Sequence, residues 1–380
     1  MKFQVNKDVL SDALSFAVKL LPVRTSLPLL SGVLIEASAE GVKFSTFDYE
    51  TSAQTSVTAT VDQPGRVLVL GRLLNEIAGR LPAAPVSFEL VDNKVVLSCG
   101  SVTFSLQCMP VEEYPTVPQV EGVTGQVPGE EFAAAISQVV VAASREDSMP
   151  VIIGVQLEIS GTTLSMMATD RYRVAIKDVP WDSGNEPVEH TALVPARTMQ
   201  EIGKTFGSAA GISITLATKD DREVIAFHAD DKTVTSLLIK GTFPPVRRLF
   251  PEVVENFAVV NTAELIEATR RVKLVVEREA ALKYTFRDNS ITLEAIGGEQ
   301  AQASETIAAA ITGLELTVSL KPDLLLDGLN AVHSEFTRLG FNSGDNPSKP
   351  GPVLITGHTS KGENSDPAYR YLLQPNLLLR

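Results

Sequence analysis

The sequence predicts an α+β protein in which one helix–sheet domain is repeated three times. A helical segment, then short alternating strands, then a second helix occurs three times along the 380 residues. The copies are evenly spaced, since Asp48 and Asp170 are 122 residues apart and Arg197 and Lys321 are 124 residues apart. Three units of about 120 residues account for the whole chain, and each has the usual size of a domain.

Each copy begins with an amphipathic helix. Apolar residues follow helical spacing from Leu10 to Leu21, from Phe132 to Ala143 and from Leu265 to Val276. The third helix has a clear start, because Asn261 followed by Glu264 three residues later is typical of an N-cap with a capping box.

Alternating strands follow each of these helices. The segments are 32–36 and 42–48, then 154–158 and 163–170, then 282–286 and 290–296. Alternation with a period of two, interrupted by turn residues, predicts antiparallel hairpins with one face on a core.

A second helix is predicted in each copy, over residues 71–80, 195–204 and 321–329, with one apolar stripe in each. Pro322 suits the first helical position. Proline-rich segments at 114–118 and 243–251 separate the copies. The predicted domains are therefore 1–117, 124–245 and 252–380.

The composition is ordinary for a soluble globular protein. Hydrophobic residues make up 44% and charged residues 21%, which excludes a disordered protein. No run of 18 apolar residues is long enough to span a membrane, and the N-terminus lacks the apolar stretch of a signal peptide. Cys99 and Cys108 cannot form a disulfide framework, so we expect a reducing cytoplasm.

Nothing in the sequence predicts an enzyme, a metal site or a cofactor. The four histidines are scattered, the two cysteines lack a second pair, and neither a dinucleotide-binding glycine motif nor a nucleophile elbow occurs. These absences favour a scaffold or binding protein. The net charge is −13, from 33 basic and 46 acidic residues. Taken alone, this charge argues against a protein that binds DNA.

Several strings, in order along this threefold repeat, resemble the bacterial replicative sliding clamp, the β subunit of DNA polymerase III. They are Met1-Lys-Phe3, Leu27-Pro-Leu-Leu-Ser-Gly32, Phe47-Asp-Tyr-Glu50, Gly71-Arg-Leu-Leu74, Phe104-Ser-Leu-Gln-Cys-Met-Pro110, Glu113-Tyr-Pro115, Ala168-Thr-Asp-Arg-Tyr-Arg173, Leu193-Val-Pro-Ala196, Phe243-Pro-Pro245, Arg247-Arg-Leu-Phe-Pro251 and Tyr371-Leu-Leu-Gln-Pro375. The strings at 47–50 and 111–115 are similar to the actinobacterial branch.

The resemblance implies the DNA clamp fold and a head-to-tail homodimeric ring whose helices line the hole. It implies double-stranded DNA, the replicative polymerase, the clamp loader and repair proteins as partners, and no membrane. A ring holds DNA by topology without reading its sequence, so an acidic protein suffices if its inner helices are basic. The implied DNA-binding residues are Arg24, Arg72, Arg145, Arg197, Arg270 and Arg271. Without the resemblance they would be ordinary surface charges.

The resemblance also implies a pocket, between the second and third copies, for short extended peptides with a glutamine and apolar anchors. Its residues would be Ile152, Thr169, Arg171, Tyr172, Arg173, Val174, Pro244, Leu249, Pro352, Leu372, Leu373, Gln374 and Pro375. Apolar walls would bury a Leu or Phe anchor, and Arg173 would fix the polarity of the ligand. The alternative is that 169–171 is only a turn and 372–373 only a core strand.

Two further expectations follow. Phe104 and Leu106 would meet Lys273 and Leu274 of a second chain at the dimer seam, because open edge strands invite pairing. Gln374 stands where the family commonly has a methionine, an adaptable apolar residue. This departure suggests an alternative, a specialised second clamp copy that tolerates a clamp-targeting inhibitor. A related alternative is a peptide-binding adaptor that keeps the fold.

Overall fold

The computed structural model describes residues 1–22, 25–120, 122, 124–146, 149–184, 189–219, 222–276, 280–296, 301–341, 351–359 and 368–376. In these residues the predicted threefold repeat is confirmed, because the order strand, helix, strands, helix, strands occurs three times, with five, four and five strands between the two helices. Among them, none of the helices combines the length and the apolarity that crossing a bilayer requires.

The first copy runs from residue 2 to residue 107. Its elements are β1 (Lys2–Val5), α1 (Lys7–Val18), β2 (Gly32–Ser38), β3 (Gly41–Phe47), β4 (Thr51–Val57), β5 (Thr60–Gln63), β6 (Gly65–Leu70), α2 (Gly71–Arg80), β7 (Val86–Val91), β8 (Lys94–Cys99) and β9 (Val102–Gln107). Asn6 begins α1 as its N-cap, since its side chain accepts a hydrogen bond from Asp8 N at 2.8 Å.

The second copy follows the same order. Its elements are β10 (Gly125–Pro128), α3 (Gly129–Val140), β11 (Gly154–Ser160), β12 (Thr163–Thr169), β13 (Arg173–Pro180), β14 (Glu189–Pro195), α4 (Ala196–Phe206), β15 (Gly211–Lys219), β16 (Arg222–Ala229) and β17 (Lys232–Leu237).

The third copy completes the repeat. Its elements are β18 (Asn256–Asn261), α5 (Thr262–Lys273), β19 (Leu282–Arg287), β20 (Ser290–Ile296), β21 (Gln302–Ala308), β22 (Ala310–Thr312), β23 (Leu316–Leu320), α6 (Pro322–Ala331), β24 (Phe336–Phe341), β25 (Val353–His358) and β26 (Tyr369–Leu373). The predicted N-cap is confirmed, because the Asn261 side chain accepts a hydrogen bond from Glu264 N at 3.1 Å.

The chain forms two compact units. The first comprises Met1–Ala133, Trp181–Val188 and Arg197–Leu238, and the second comprises Ala134–Pro180, Glu189–Ala196 and Ile239–Arg380. The second copy therefore contributes to both units. The units do not coincide with the copies, and the domain boundaries stay predictions.

The first unit contains a five-stranded sheet in the order β5-β1-β7-β8-β9 and an eight-stranded sheet in the order β10-β15-β16-β17-β4-β3-β2-β6. In the larger sheet, β17 of the second copy pairs antiparallel with β4 of the first. On the apolar stripes of α1 and α2, Leu10, Leu14 and Leu74 are completely buried in the core of this unit.

The second unit repeats this arrangement with a nine-stranded sheet in the order β14-β11-β12-β13-β26-β25-β24-β18-β22. Here β26 of the third copy pairs antiparallel with β13 of the second. A four-stranded sheet in the order β21-β20-β19-β23 completes the unit. Pairing between copies thus makes continuous sheets, and it positions the turns discussed next.

Candidate functional site

The turn between β12 and β13 organises the predicted pocket. The Asp170 carboxylate accepts hydrogen bonds from Tyr172 N at 3.1 Å and from Arg173 N at 3.2 Å. Thr169 Oγ1 donates to Arg173 O at 2.7 Å, which closes the turn. Arg171 has a φ of 80°, a left-handed conformation that the surrounding hydrogen bonds maintain.

Arg173 is buried beside this turn, with only 5% of its side chain exposed. Its Nε donates to Asp170 Oδ2 at 2.8 Å, and its Nη1 donates to Asp327 Oδ2 at 2.6 Å and to the Tyr371 hydroxyl at 3.3 Å. Burial alone lowers the pKa of Arg173, but Tyr371, Asp327 and Asp170 outweigh burial and raise it above its ordinary value. The guanidinium is therefore always charged.

Tyr371 completes the network. Burial raises the pKa of its hydroxyl well above the ordinary value, and Arg173 offsets only part of this rise. The hydroxyl therefore stays protonated and donates to Leu324 O, on α6, at 2.7 Å. Asp327 also lies on α6, so Arg173 joins the second copy to a helix of the third.

The role of Arg173 in orienting a peptide ligand stays a prediction, and the structure adds a role in holding the turn. Neighbouring residues of a strand point to opposite faces, and Arg173 faces α6 while Val174 belongs to an apolar cluster on the other face. Its Nε and Nη1 donate to protein groups, so Arg173 positions the turn. The same alternation separates Leu372, in the apolar cluster, from Leu373, which is completely buried without belonging to that cluster.

The apolar cluster is the floor of the candidate pocket. Its buried members are Met167, Val174, Ile176, Val246 and Leu372, and Phe243, Phe250 and Leu354 pack against it half-buried. Above this floor, Tyr172 and Leu249 are each 52% exposed. Gln374 has an exposed side chain, and its backbone N donates to Tyr172 O at 2.8 Å. The structure therefore brings apolar groups and a polar rim together.

The other predicted pocket residues differ in exposure. Ile152 is buried in a short 3-10 helix, and its carbonyl accepts a hydrogen bond from Ser144 N at 2.8 Å. Pro244 and Pro352 are half-buried, and Pro375 follows Gln374. Arg171 is exposed and forms a loose ion pair with Glu146 at 3.8 Å.

The predicted DNA-binding residues lie at helix ends and in loops. Arg72, at the start of α2, donates to Leu21 O at 2.8 Å. Arg145 and Arg197 are exposed. Arg270 pairs with Glu267 at 2.7 Å, and Arg271 pairs with Glu305 at 2.6 Å. Arg24 lies outside the described residues.

The predicted dimer residues divide into exposed and buried ones. Strand β9 is an edge strand, as expected, and Phe104 on it is 38% exposed. Leu106, two residues on, is 7% exposed and belongs to the core of the first unit, so its side chain is not free for a partner. Leu274 is 83% exposed at the end of α5, and Lys273 forms an ion pair with Asp323.

Within the described parts of the chain, no group of three or more His, Cys, Asp or Glu side chains could hold a metal ion. Comparison with known proteins gives the family. Residues 1–118, 126–245 and 247–353 match the N-terminal, central and C-terminal domains of the DNA polymerase III beta subunit.

The chain belongs to the DNA polymerase III beta subunit family.

Related proteins match this chain over almost its full length. The chain is 38% identical over 376 residues to a beta sliding clamp of Streptomyces coelicolor, covering 99% of each chain. It is 36% identical over 375 residues to the beta sliding clamp homolog GriR of Streptomyces muensis, again covering 99% of each. The crystal structure of the Bacillus subtilis sliding clamp matches with a TM-score of 0.89 and 26% identity, covering 99% of each chain.

These findings confirm several expectations. The chain has the three-domain fold of sliding clamps, and its relatives in Streptomyces agree with the actinobacterial branch. The beta subunit family is a processivity factor and not an enzyme. The beta sliding clamp and the homolog GriR match this chain at similar identity, so the comparisons do not favour the alternative of a specialised second copy.

Sequence reasoning missed the residues that hold Arg173. Asp170 lies in a string that carried the family resemblance, and its position before a turn was a usable signal. Asp327 is 154 residues away, on a helix predicted only for its apolar stripe. No local pattern connects it with Arg173.

The buried network predicts a stability difference between two neighbouring arginines. Arg173→Met should lower the free energy of unfolding by about 2 to 3 kcal/mol, because Asp170 and Asp327 lose their counter-ion, although Asp327 is partly screened by solvent. Arg171→Met, at an exposed pair, should change it by less than about 0.5 kcal/mol. Urea denaturation followed by circular dichroism measures both, and equal effects would contradict this account of the network.

Proposed function

We propose that two copies of this chain close head to tail into a ring that encircles duplex DNA in the cytoplasm and tethers the replicative polymerase. The observation that carries this proposal is the threefold repeat in a member of the beta subunit family. Two chains of three copies supply six similar units, and their helices line the hole. The relatives' name, sliding clamp, supports the same activity.

The edges of two sheets support ring closure. Strand β9 ends the five-stranded sheet and β21 ends the four-stranded sheet, so each has one unpaired side within the described residues. Exposed Phe104 lies on β9, and exposed Leu274 follows α5. A head-to-tail contact pairs two different surfaces and satisfies both edges when the rotation closes.

The charges of the chain indicate that it would hold DNA by encircling it and not by strong attraction to the phosphates. The chain carries a net charge of −13. Two of the predicted DNA-binding residues, Arg270 and Arg271, are paired with Glu267 and Glu305, which reduces the local positive potential. Such a surface makes weak, sequence-independent contacts with phosphates, as a sliding protein requires.

If the protein forms a closed ring, its retention on DNA should depend on whether the DNA has free ends. When loaded by a bacterial clamp loader onto nicked circular plasmid, the labelled protein should elute with the DNA during gel filtration. Cutting the plasmid once should release it within the run, because a ring slides off an end. Equal retention on circular and linear DNA would contradict topological binding.

The proposed seam predicts that Leu274→Glu produces a monomer. The substitution would bury a carboxylate in the apolar contact between the two chains. Leu314→Glu is the matched control, since Leu314 is similarly exposed, at 71%, and lies in a loop outside the proposed seam. Light scattering measures the mass of both variants. An unchanged dimer for Leu274→Glu would exclude Leu274 from the interface.

The pocket in the second unit is proposed as the docking site for polymerase, clamp loader and repair proteins. The floor of Met167, Val174 and Leu372 can bury a Leu or Phe anchor. Tyr172 and Gln374 present polar groups at the rim for the glutamine of an extended peptide. Arg173 holds the turn beneath them.

This pocket predicts the binding of a labelled polymerase-tail peptide with a glutamine and Leu-Phe anchors. The wild type should bind in the micromolar range, and Gln374→Met should change the affinity by less than about threefold, because the exposed Gln374 side chain lies at the rim. Leu249→Glu should weaken binding at least about tenfold, with Leu314→Glu as control.

Fluorescence anisotropy gives these affinities. Weak binding by the wild type, restored by Gln374→Met, would contradict an ordinary pocket and would favour the specialised copy. Equal binding by Leu249→Glu and Leu314→Glu would exclude Leu249 from the site.

A further inference from the structure

The first unit contains a second copy of the turn that organises the pocket. Between β3 and β4, the Asp48 carboxylate accepts hydrogen bonds from Glu50 N at 3.0 Å and from Thr51 N at 2.7 Å. Tyr49 has a φ of 73°, as Arg171 has a φ of 80° in the second unit. The turn at 48–51 therefore has the same structure as the turn at 170–173.

The strand beside each turn is also equivalent. β17 pairs with β4 as β26 pairs with β13. Directly after the last pair, Leu237 N donates to Glu50 O at 2.8 Å, just as Gln374 N donates to Tyr172 O at 2.8 Å. Leu237 thus occupies the place that Gln374 has at the rim of the proposed peptide pocket.

The linkers repeat as well. A short 3-10 helix at Val111–Glu113 precedes Tyr114 and Pro115, and another at Val246–Leu249 precedes Phe250 and Pro251. Tyr114 fixes the first linker to the turn, because its hydroxyl accepts a hydrogen bond from Phe47 N at 2.8 Å. Burial raises the pKa of this hydroxyl to about 12, so it stays protonated.

These three features enclose a cavity of about 440 Å³. Its apolar lining includes Phe47, Tyr49, Pro115, Val224 and Leu237, all of which belong to the first unit. The volume lies in the range of small-ligand sites, and aromatic and proline walls suit a large apolar anchor. The site is therefore the repeat equivalent of the proposed peptide pocket.

The linkers beside the two sites differ in charge, although Arg247 of the second linker is paired with Glu158 at 3.3 Å. Glu50 and Arg222 line the cavity and offset each other. The linker beside it then adds the exposed carboxylates of Glu112 and Glu113, where the second linker has Arg247 and Arg248. An acidic rim attracts basic ligands and repels acidic ones.

We propose that this cavity is a second docking site, which binds an extended peptide with a large apolar anchor next to basic residues. That the ligand is an extended peptide rests on the proposed function of the equivalent pocket. That the peptide is basic follows from the exposed carboxylates of Glu112 and Glu113 beside the cavity. A partner protein could then hold each chain of the clamp at either of two sites with distinct charge preferences.

Two labelled synthetic peptides test this proposal, one with a Leu-Phe pair flanked by lysines and one with the same pair flanked by glutamates. The lysine peptide should bind the full-length protein more tightly, and added salt should reduce the difference. Thr116→Trp, which fills the cavity from an exposed position, should weaken binding at least about tenfold. Thr58→Trp is the matched control, because Thr58 is exposed and does not line the cavity.

Glu50→Lys should also weaken binding of the lysine peptide, by about tenfold, without altering the apolar lining. Leu249→Glu, which blocks the other pocket, should leave the lysine peptide unaffected. Equal affinities of Thr116→Trp and Thr58→Trp, a loss of binding with Leu249→Glu, or no binding at millimolar concentrations would each overturn the proposal.

The glutamine-bearing polymerase peptide separates this proposal from the proposed function. If the wild type fails to bind it while the lysine peptide binds and depends on Thr116, the proposed function of the pocket fails and the second site stands. If the glutamine peptide binds and depends on Leu249, and the lysine peptide does not depend on Thr116, only the second site fails.

Discussion

The rest of the structure depends on the antiparallel pairing of strands from successive copies. β17 pairs with β4, and β26 pairs with β13, so each large sheet continues from one copy into the next. Pairing satisfies the backbone groups of strands that would otherwise be open edges. It also fixes which residue lies beside each aspartate turn, Leu237 in one unit and Gln374 in the other. The cavity of the first unit and the proposed pocket of the second unit both lie beside these turns.

The two junctions use the same backbone with different side chains. In the second unit, the residue after the turn is Arg173, and its buried charge requires Asp170, Asp327 and Tyr371 as partners. In the first unit the equivalent residue is Thr51, which carries no charge. Ser52, the equivalent of Val174, forms a hydrogen bond of 2.6 Å between its hydroxyl and that of Thr235, where the second unit has an apolar cluster. Repetition has thus kept the geometry of the site while its chemistry diverged.

An acidic composition is compatible with the proposed encirclement of DNA, because a ring holds DNA by topology and needs little affinity for it. A net charge of −13 repels phosphates at long range, and Arg270 and Arg271 each have a carboxylate partner. A ring needs only enough positive charge to keep the duplex centred. In the proposed ring, the exposed apolar Leu274 would matter more than any single arginine, because ring closure would depend on contacts of that kind.

The sequence by itself determined the threefold repeat, the six helices seen in the described residues, the alternating hairpins, the N-cap at Asn261 and the family. These are local or repeated patterns, and periodicity reports them directly. Only the tertiary structure decided that Leu106 belongs to the core, that Arg173 pairs with Asp327 154 residues away, and that Leu237 meets the turn at Glu50. Periodicity shows that a residue has a buried face but not which distant strand or helix covers it, and that choice is made by pairing between copies.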